Sequence, residues 1–392
     1  MKKGMRHPNH AGMAANEATA GGQTKERNVT KYQEWRAKIR FLTPAFLGGA
    51  DQSGQWRTPP FKALLRQWWR IVYAQQNGFN VNVLRMREAE GRLFGNAWLE
   101  NEVKGGKESA ASRSQVRLRL TKWKAGGSQG WNDLAVLHPE VGGQGGKQVG
   151  SHLYLGYGPL TYDKESRRTV LKSPPAIGAS EEAELALAFP EEEAPEMKTV
   201  LWLMHLYGTV GGRSRNGWGS FVLEPEGGWQ GTPKPPLRDW RQALELDWPH
   251  CIGKDDNQPL IWQTRKEYDD WRELMRDLAE LKITIRTMFT FTGGGPHHSP
   301  EQRHWLSYPV TKHDVAAWGK QLRLPNSLRF KVRPAPGNPA RVVGVIFHMP
   351  CKPPAAFNPD IATITRVWEQ VHKALDGNGQ FQQVQQLIGR MP

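Results

Sequence analysis

The most pointed chemistry in this chain lies in Gly208-Thr-Val-Gly-Gly-Arg-Ser-Arg-Asn-Gly-Trp-Gly-Ser-Phe221, where five of fourteen residues are glycine. Glycine lets a backbone turn sharply and approach another chain closely, and guanidiniums donate charge-assisted hydrogen bonds in a geometry suited to phosphate. Gly211, Gly212, Arg213, Ser214, Arg215, Asn216 and Trp218 together read as a clamp for an RNA backbone with one stacked base. A generic glycine-rich hairpin turn is the plainer alternative. The stretch lacks the terminal Lys-Ser/Thr of a P-loop, and it lies between a predicted helix and a predicted strand, the reverse of a dinucleotide fingerprint. His297 and His298, just after Gly293-Gly-Gly-Pro296, and His304 could serve as acid and base on a ribose hydroxyl. Two histidines in a loop do not define such a pair, so no catalytic residue is assigned. Asp51 has no acidic partner at short spacing and is read as structural or capping, so no metal ligand is assigned either. His205, on the apolar side of a predicted helix, reads as a core histidine.

The elements that must carry these groups show in the periodicity. From Trp35 to Phe41 the residues alternate, with Trp35, Ala37, Ile39 and Phe41 on one side and Arg36, Lys38 and Arg40 on the other, the period of a half-buried strand. The pattern recurs in Val116, Leu118 and Leu120 against Arg117 and Arg119, and in Phe330 and Val332 against Arg329, Lys331 and Arg333. Any one such strand needs only a solvated face; three of them suggest a basic surface. A helix is predicted from Thr58, as cap, through Pro59 in the first turn to about Ala74, with Phe61, Leu64, Leu65, Trp68 and Val72 inward. On its other side Lys62, Arg66 and Arg70 fall at i, i+4 and i+8, with no acid inside the stripe. Further helices are predicted over 197–206, 263–282, 361–376 and 380–389, and strands over 328–333 and 341–348. Tyr268, Trp271, Leu274, Met275 and Leu278 form the apolar face of the 263–282 helix. Residues 125–130 and 142–150 read as exposed loops, and 181–196 as an acidic island.

Pro233, Pro235 and Pro236 mark a boundary, so the chain divides into a disordered basic tail (1–30), a first domain with the glycine-rich loop (31–228) and a second domain with C-terminal helices (229–392). The mixed order of elements predicts an α+β protein with its layers repeated twice. The 53 Lys+Arg against 38 Asp+Glu give a formal charge of +15, which attracts polyanions and makes nucleic acid the first partner to consider. Seventeen tryptophans suit base stacking, although most are expected in cores. Cys251 and Cys351 have no partners at metal-ligand spacing, which fits a reducing cytoplasm and implies no cofactor. No secretory signal and no run of 18 apolar residues is present, so no membrane partner is expected.

Two segments, Thr43-Pro-Ala-Phe-Leu-Gly-Gly-Ala-Asp51 and Arg57-Thr-Pro-Pro-Phe-Lys-Ala-Leu-Leu-Arg-Gln-Trp-Trp-Arg70, resemble the opening of the first RAMP subunit of type III-B (Cmr) CRISPR effector complexes. The Gly211–Ser220 segment resembles the glycine-rich loop of RAMP proteins at large, and Leu93-Phe94-Gly95 a shorter element of the same superfamily. These motifs cover about a quarter of the chain, all before residue 225. The resemblance implies tandem ferredoxin-like, RNA-recognition-type βαββαβ units, with the loop between second helix and last strand of the first. It also implies a non-catalytic subunit of an RNA-guided antiviral complex, placed near the 3′ end of the guide RNA and helping capture target RNA beside other RAMP subunits. Arg57, Lys62, Arg66 and Arg70 join the loop as expected RNA-binding residues, and a RAMP endoribonuclease is the alternative.

Overall fold

Strict alternation builds the first strand. In the computed structural model, which describes residues 30–49, 52–97, 111–143, 145–228, 231 and 233–384, β1 (Tyr32–Phe41) buries Ala37, Ile39 and Phe41 and turns Arg36, Lys38 and Arg40 outward. Asp51 and residues 1–29 of the predicted tail lie outside the described residues. Helix α1 (Pro59–Gln76) follows, its prolines in the first turn. The Thr58 side chain makes no cap bond, against expectation; its carbonyl starts the helix by accepting from the Lys62 N–H at 3.0 Å. Helix α2 (Val83–Phe94) is capped by Asn82, whose side chain accepts from the Arg85 N–H, and β2 (Arg117–Leu120) comes next.

Two hairpins interrupt the unit: β3 (Ala135–His138) with β4 (Lys147–Gly150), then, after α3 (Ser151–Gly156), β5 (Leu160–Asp163) with β6 (Arg168–Leu171). The end of the 142–150 stretch expected as loop is therefore strand. The unit closes with β7 (Glu182–Pro190), α4 (Ala194–Tyr207) and β8 (Phe221–Pro225). The acidic island is split between them: Glu182 and Glu184 lie on β7, Glu191–Glu193 form a short 3-10 turn, and Glu196 sits in the first turn of α4, where the helix dipole favours a carboxylate. The sheet order β2-β7-β1-β8, antiparallel throughout, is the ferredoxin-like order, and α1 and α4 pack against each other with their apolar faces in one core.

A small sheet of β9 (Leu237–Asp239), β10 (Ile252–Asp255) and β11 (Gln258–Pro259) leads into a second unit with the same connectivity. It contains β12 (Ile261–Thr264), α5 (Trp271–Thr287), β13 (Leu328–Ala335), β14 (Asn338–His348), α6 (Ile361–Asp376) and β15 (Phe381–Gln383), in sheet order β13-β14-β12-β15. Two predicted helices are corrected. The 263–282 helix starts only at Trp271, because Ile261–Thr264 pairs with β14 and β15 and Asp270 caps the helix by accepting from the Arg272 N–H. Within 380–389, residues 381–383 are strand β15 and 385–389 lie outside the described residues. Both sheets belong to one compact unit that begins at Tyr32, and among the described residues no helix is long and apolar enough to cross a membrane.

The third predicted basic face meets water only in part. Phe330 and Val332 are buried as expected, but Lys331 is fully buried too, because β13 lies along the end of the glycine-rich loop. Its ammonium donates to the carbonyls of Gly208 and, at 2.6 Å, Phe221. The Val332 N–H donates to Ser220 Oγ at 2.9 Å and the Phe330 N–H to the Arg215 carbonyl at 2.9 Å. These bonds satisfy backbone groups that would otherwise be buried without partners.

Replacing Lys331 with Met strands two buried carbonyls, which costs about 1–3 kcal/mol each. A urea midpoint unchanged in Lys331→Met contradicts this role. Trp68, 1% exposed and packed on Tyr207, should cost about 3–5 kcal/mol when replaced with Ala, read from the same denaturation curve. Burial pushes the His205 and His372 imidazoles from 6.5 down to about 3. Between those values the unfolded chain binds protons that the folded chain does not. Stability is therefore full above pH 6.5 and falls as pH drops toward 3, by up to about 1.4 kcal/mol per pH unit for each histidine. Melting temperatures across pH 3 to 7 check the slope.

Candidate nucleic-acid interface

The two motif regions fold onto each other. Thr43 Oγ1 donates to the Gly217 carbonyl at 2.8 Å and accepts from the Ser220 N–H at 3.0 Å. The Gly219 N–H donates to the Pro44 carbonyl and the Gly212 N–H to the Phe46 carbonyl, both at 2.9 Å. Such contact requires glycine. At Gly219 (φ +64°) a Cβ would sit 1.9 Å from the Val210 oxygen, and at Gly211 (φ +92°) it would sit 2.7 Å from the Phe46 oxygen. Trp218 must be withdrawn from the stacking role expected of it. Its indole is fully buried, with ring centroids 5.3 Å from both Phe46 and Trp131, so neither face is open to a base.

The polar residues of the loop diverge from this fixed base. Arg213 holds a left-handed φ of +57°, is exposed, and donates through Nε to the Tyr157 carbonyl at 2.5 Å. The Ser214 carbonyl accepts from the Gly217 N–H at 3.1 Å and keeps the turn closed. Asn216 bridges the units: Nδ2 donates to the Leu155 carbonyl at 2.6 Å, and Oδ1 accepts from Lys282 Nζ of α5 at 2.7 Å. Burial, with Arg286 and Arg213 adding to it, pushes the Lys282 ammonium down to about 7. On the other flank exposed Arg215 acts on Arg329, whose guanidinium is pushed down to about 9 by burial and then by that neighbour. Arg213, Arg215, Lys282, Arg286 and Arg329 form no ion pair among the described residues; Arg286 donates to Ser307 Oγ at 2.6 Å. A line of cations thus follows the seam between the two ferredoxin-like units.

The helix stripe is different. Glu90 of α2, 5% exposed, accepts from Arg66 Nε at 2.6 Å and from Arg70 at 2.7 and 2.8 Å, which supplies the acid that the stripe itself lacks. Lys62 donates to Ser114 Oγ at 2.9 Å, and burial lowers its pKa, with Arg66 contributing. Arg57 braces the Thr43–Gly49 turn, donating to the Gly48 carbonyl at 2.7 Å. The outward cations of β1 are paired as well: Lys38 meets Glu182 at 2.7 Å, Arg36 meets Glu184 at 3.5 Å and Arg40 meets Glu224 at 3.4 Å. The open face of the first sheet is a mixed-charge surface.

Beside the loop lies a cleft of about 420 Å³ lined by Phe46, Gly48, Gly158, Pro159, Lys172 and Gly212 among others. Exposed Lys172 and Tyr157, 66% exposed, stand at this side of the loop, and Trp123 is 56% exposed between Lys122 and Lys124. Sequence reasoning missed Tyr157, Lys172 and the seam role of Lys282, Arg286 and Arg329. Lys282 and Arg286 are four apart on a helix, the one signal that could have raised them. The histidines resolve into a packed network. His297 sits 2.7 Å from Glu301 and 3.0 Å from His313, and buried His304 accepts from the Glu301 N–H at 2.9 Å and faces the His313 carbonyl at 2.8 Å. His298 is exposed. His205, 7% exposed, accepts from the Leu223 N–H at 3.1 Å, as a core histidine should. Among the described residues no three His, Cys, Asp or Glu side chains are arranged to hold a metal ion.

A ferredoxin-like unit whose second helix reaches its last strand through a tightly packed glycine-rich loop defines a class of RNA-recognition-type folds. Residues 38–222 match the family model of the RAMP superfamily. Among solved structures it is similar to Cmr1 from Pyrococcus furiosus in its apo form, at 13% identity and a TM-score of 0.39, covering 86% of this chain and 96% of that one. No curated protein sequence matches it.

Gly219→Ala should collapse the loop packing, since the added Cβ meets backbone, whereas Gly227→Ala, with φ +79° and nothing within 4 Å, should cost only about 1 kcal/mol. Thermal melts of the two variants that coincide would contradict the close-approach argument.

Proposed function

We propose that this chain is a non-catalytic RNA-binding subunit of a type III CRISPR RNA-guided effector complex, acting in the cytoplasm in antiviral defence. In that complex it lies near the 3′ end of the guide RNA, beside other RAMP subunits, and helps capture target RNA. The match of residues 38–222 to the RAMP superfamily model and the resemblance of Thr43–Arg70 to the first RAMP subunit of Cmr complexes support the reading. The observation that carries it is the seam: Arg215 beside Arg329, and Arg213 beside Lys282 and Arg286, without a paired carboxylate among the described residues. Aligned cations without counter-ions raise the local concentration of a polyanion, and phosphates along a strand supply the missing charges. Tyr157 and Trp123 offer exposed rings for sequence-tolerant stacking. No base-reading contact is assigned.

Filter binding of a labelled single-stranded RNA at two salt concentrations, with magnesium or manganese present, tests this. Arg213→Ala with Arg215→Ala should weaken binding across unrelated sequences and flatten the dependence of log K on log salt by about 0.7 for each phosphate no longer neutralised. The RNA should stay intact on a gel. An unchanged slope removes the two arginines from the interface. Fragments that disappear in Asp51→Ala or His297→Ala identify an endoribonuclease instead.

A further inference from the structure

The corner where the glycine-rich loop meets α5 holds a cation that no carboxylate among the described residues pairs with. Lys282 Nζ is half-buried, its one hydrogen bond runs to the neutral amide of Asn216 at 2.7 Å, and the charges acting on it, Arg286 and Arg213, are both positive. The groups that face it come from three elements. The loop brings Arg213 and Asn216; α3 brings Tyr154, whose ring centroid lies 6.0 Å from Nζ; α5 itself brings Arg286 one turn on. Further out stand His138 of β3, Arg303 and Glu140, and that carboxylate is already held by Arg303 at 2.6 and 2.8 Å. Asn216 is itself anchored to the Leu155 carbonyl, so the amide oxygen that positions Lys282 is fixed. Three like charges gathered at a partly dry corner are unfavourable in the free protein, and a bound dianion or a backbone phosphate reverses that sign.

We propose that Lys282, Arg286 and Arg213 form a phosphate-binding site shared by the two ferredoxin-like units, and that protonation of Lys282 makes RNA binding at this point pH-dependent. The site rests on the RNA-binding reading for its natural ligand, an RNA backbone phosphate, but its chemistry is that of phosphate in general. Because burial holds the free ammonium near 7, only part of the free protein carries the charge at neutral pH. Binding phosphate favours the charged form. Affinity is therefore highest below pH 7 and falls as pH rises, by about tenfold between pH 6 and pH 8 for one lysine that must take up a proton. His138 and His304 are both held below their ordinary value of 6.5, chiefly by burial.

The test uses the full chain and two probes. The first is a 20-nucleotide oligouridylate at pH 6 and pH 8, at fixed ionic strength, with wild type, Lys282→Met and Lys282→Arg. Wild type should bind about tenfold more tightly at pH 6; Lys282→Arg should keep the tight binding and lose the pH dependence; Lys282→Met should bind weakly at both. The second probe is inorganic phosphate at pH 6.5, which should raise the melting temperature of wild type above that in sodium chloride of equal ionic strength, and should not do so for Lys282→Met. RNA binding that is pH-independent and intact in Lys282→Met overturns the site and leaves the RNA-binding reading standing. A pH dependence that persists in Lys282→Arg also overturns it, since the titrating group is then another. Phosphate stabilisation confined to wild type and Lys282→Arg, with no RNA bound by any form, keeps the site and sinks the RNA-binding reading. If Lys282→Met does not fold, the contrast between wild type and Lys282→Arg decides alone.

Discussion

The carbonyls of Gly208 and Phe221, one at each end of the glycine-rich loop, converge on the buried ammonium of Lys331, and the rest of the seam depends on that contact. A loop that turns back on itself leaves backbone acceptors facing inward, where water cannot reach them. A lysine entering from a different unit can satisfy two at once, because its three donors lie on one small group. Once Lys331 is seated, β13 has no freedom to slide. Phe330 and Val332 then meet Arg215 and Ser220, α5 is carried into register beside the loop, and Lys282 arrives within 2.7 Å of Asn216. The surface chemistry follows from a buried hydrogen-bond pattern.

Net charge alone would have misplaced the interface. The formal +15 is what 53 Lys+Arg leave over 38 Asp+Glu, and many of those cations have local partners: Glu182, Glu184 and Glu224 answer the outward cations of β1, Glu90 answers Arg66 and Arg70, and Glu140 answers Arg303. Exposed pairs contribute little to stability, and a pair seen from beyond a Debye length contributes little field. What a polyanion senses at distance is the uncancelled remainder. Along the seam that remainder is concentrated, and burial sharpens it, since the same desolvation that lowers the Lys282 and Arg329 pKa values strengthens their attraction for an anion that displaces water.

Local patterns were readable and long-range partners were not. The alternation of β1, the apolar spacing of α1, the 361–376 helix and the loop between α4 and β8 all come from contacts that a period of 2 or 3.6 encodes. Glu90 lies twenty residues from Arg70 on another helix, so the neutralised stripe looked unpaired in sequence. Lys331 alternates as an outward residue should, and only the docking of the other unit converts that side into interior. Trp218 sits amid glycines and arginines, which made it look like a stacking ring; its burial is set by Trp131 and Trp271, residues 87 and 53 positions away (218 − 131 and 271 − 218). The strand at Ile261–Thr264 was hidden because a four-residue strand preceding a helix extends the apolar run without changing its apparent period.

A glycine-rich loop ordinarily signals mobility, and here it does the opposite. Gly211 and Gly219 are required because other backbone atoms occupy the space a Cβ would take, so these glycines mark close packing and not freedom. Arg213 and Arg215 consequently leave a fixed platform on opposite flanks, one tethered to the Tyr157 carbonyl and the other tied through its own carbonyl to Phe330. Ordering a flexible clamp around a strand would cost conformational entropy at every residue immobilised on binding. A platform already ordered by folding does not incur that cost again, so the gain from each phosphate contact appears more fully as affinity. The strained left-handed φ at Arg213 fits the same account: the conformation is held by Gly212 on Phe46 and by Tyr157, and it points the guanidinium toward the corner where Lys282 and Arg286 wait for a counter-charge.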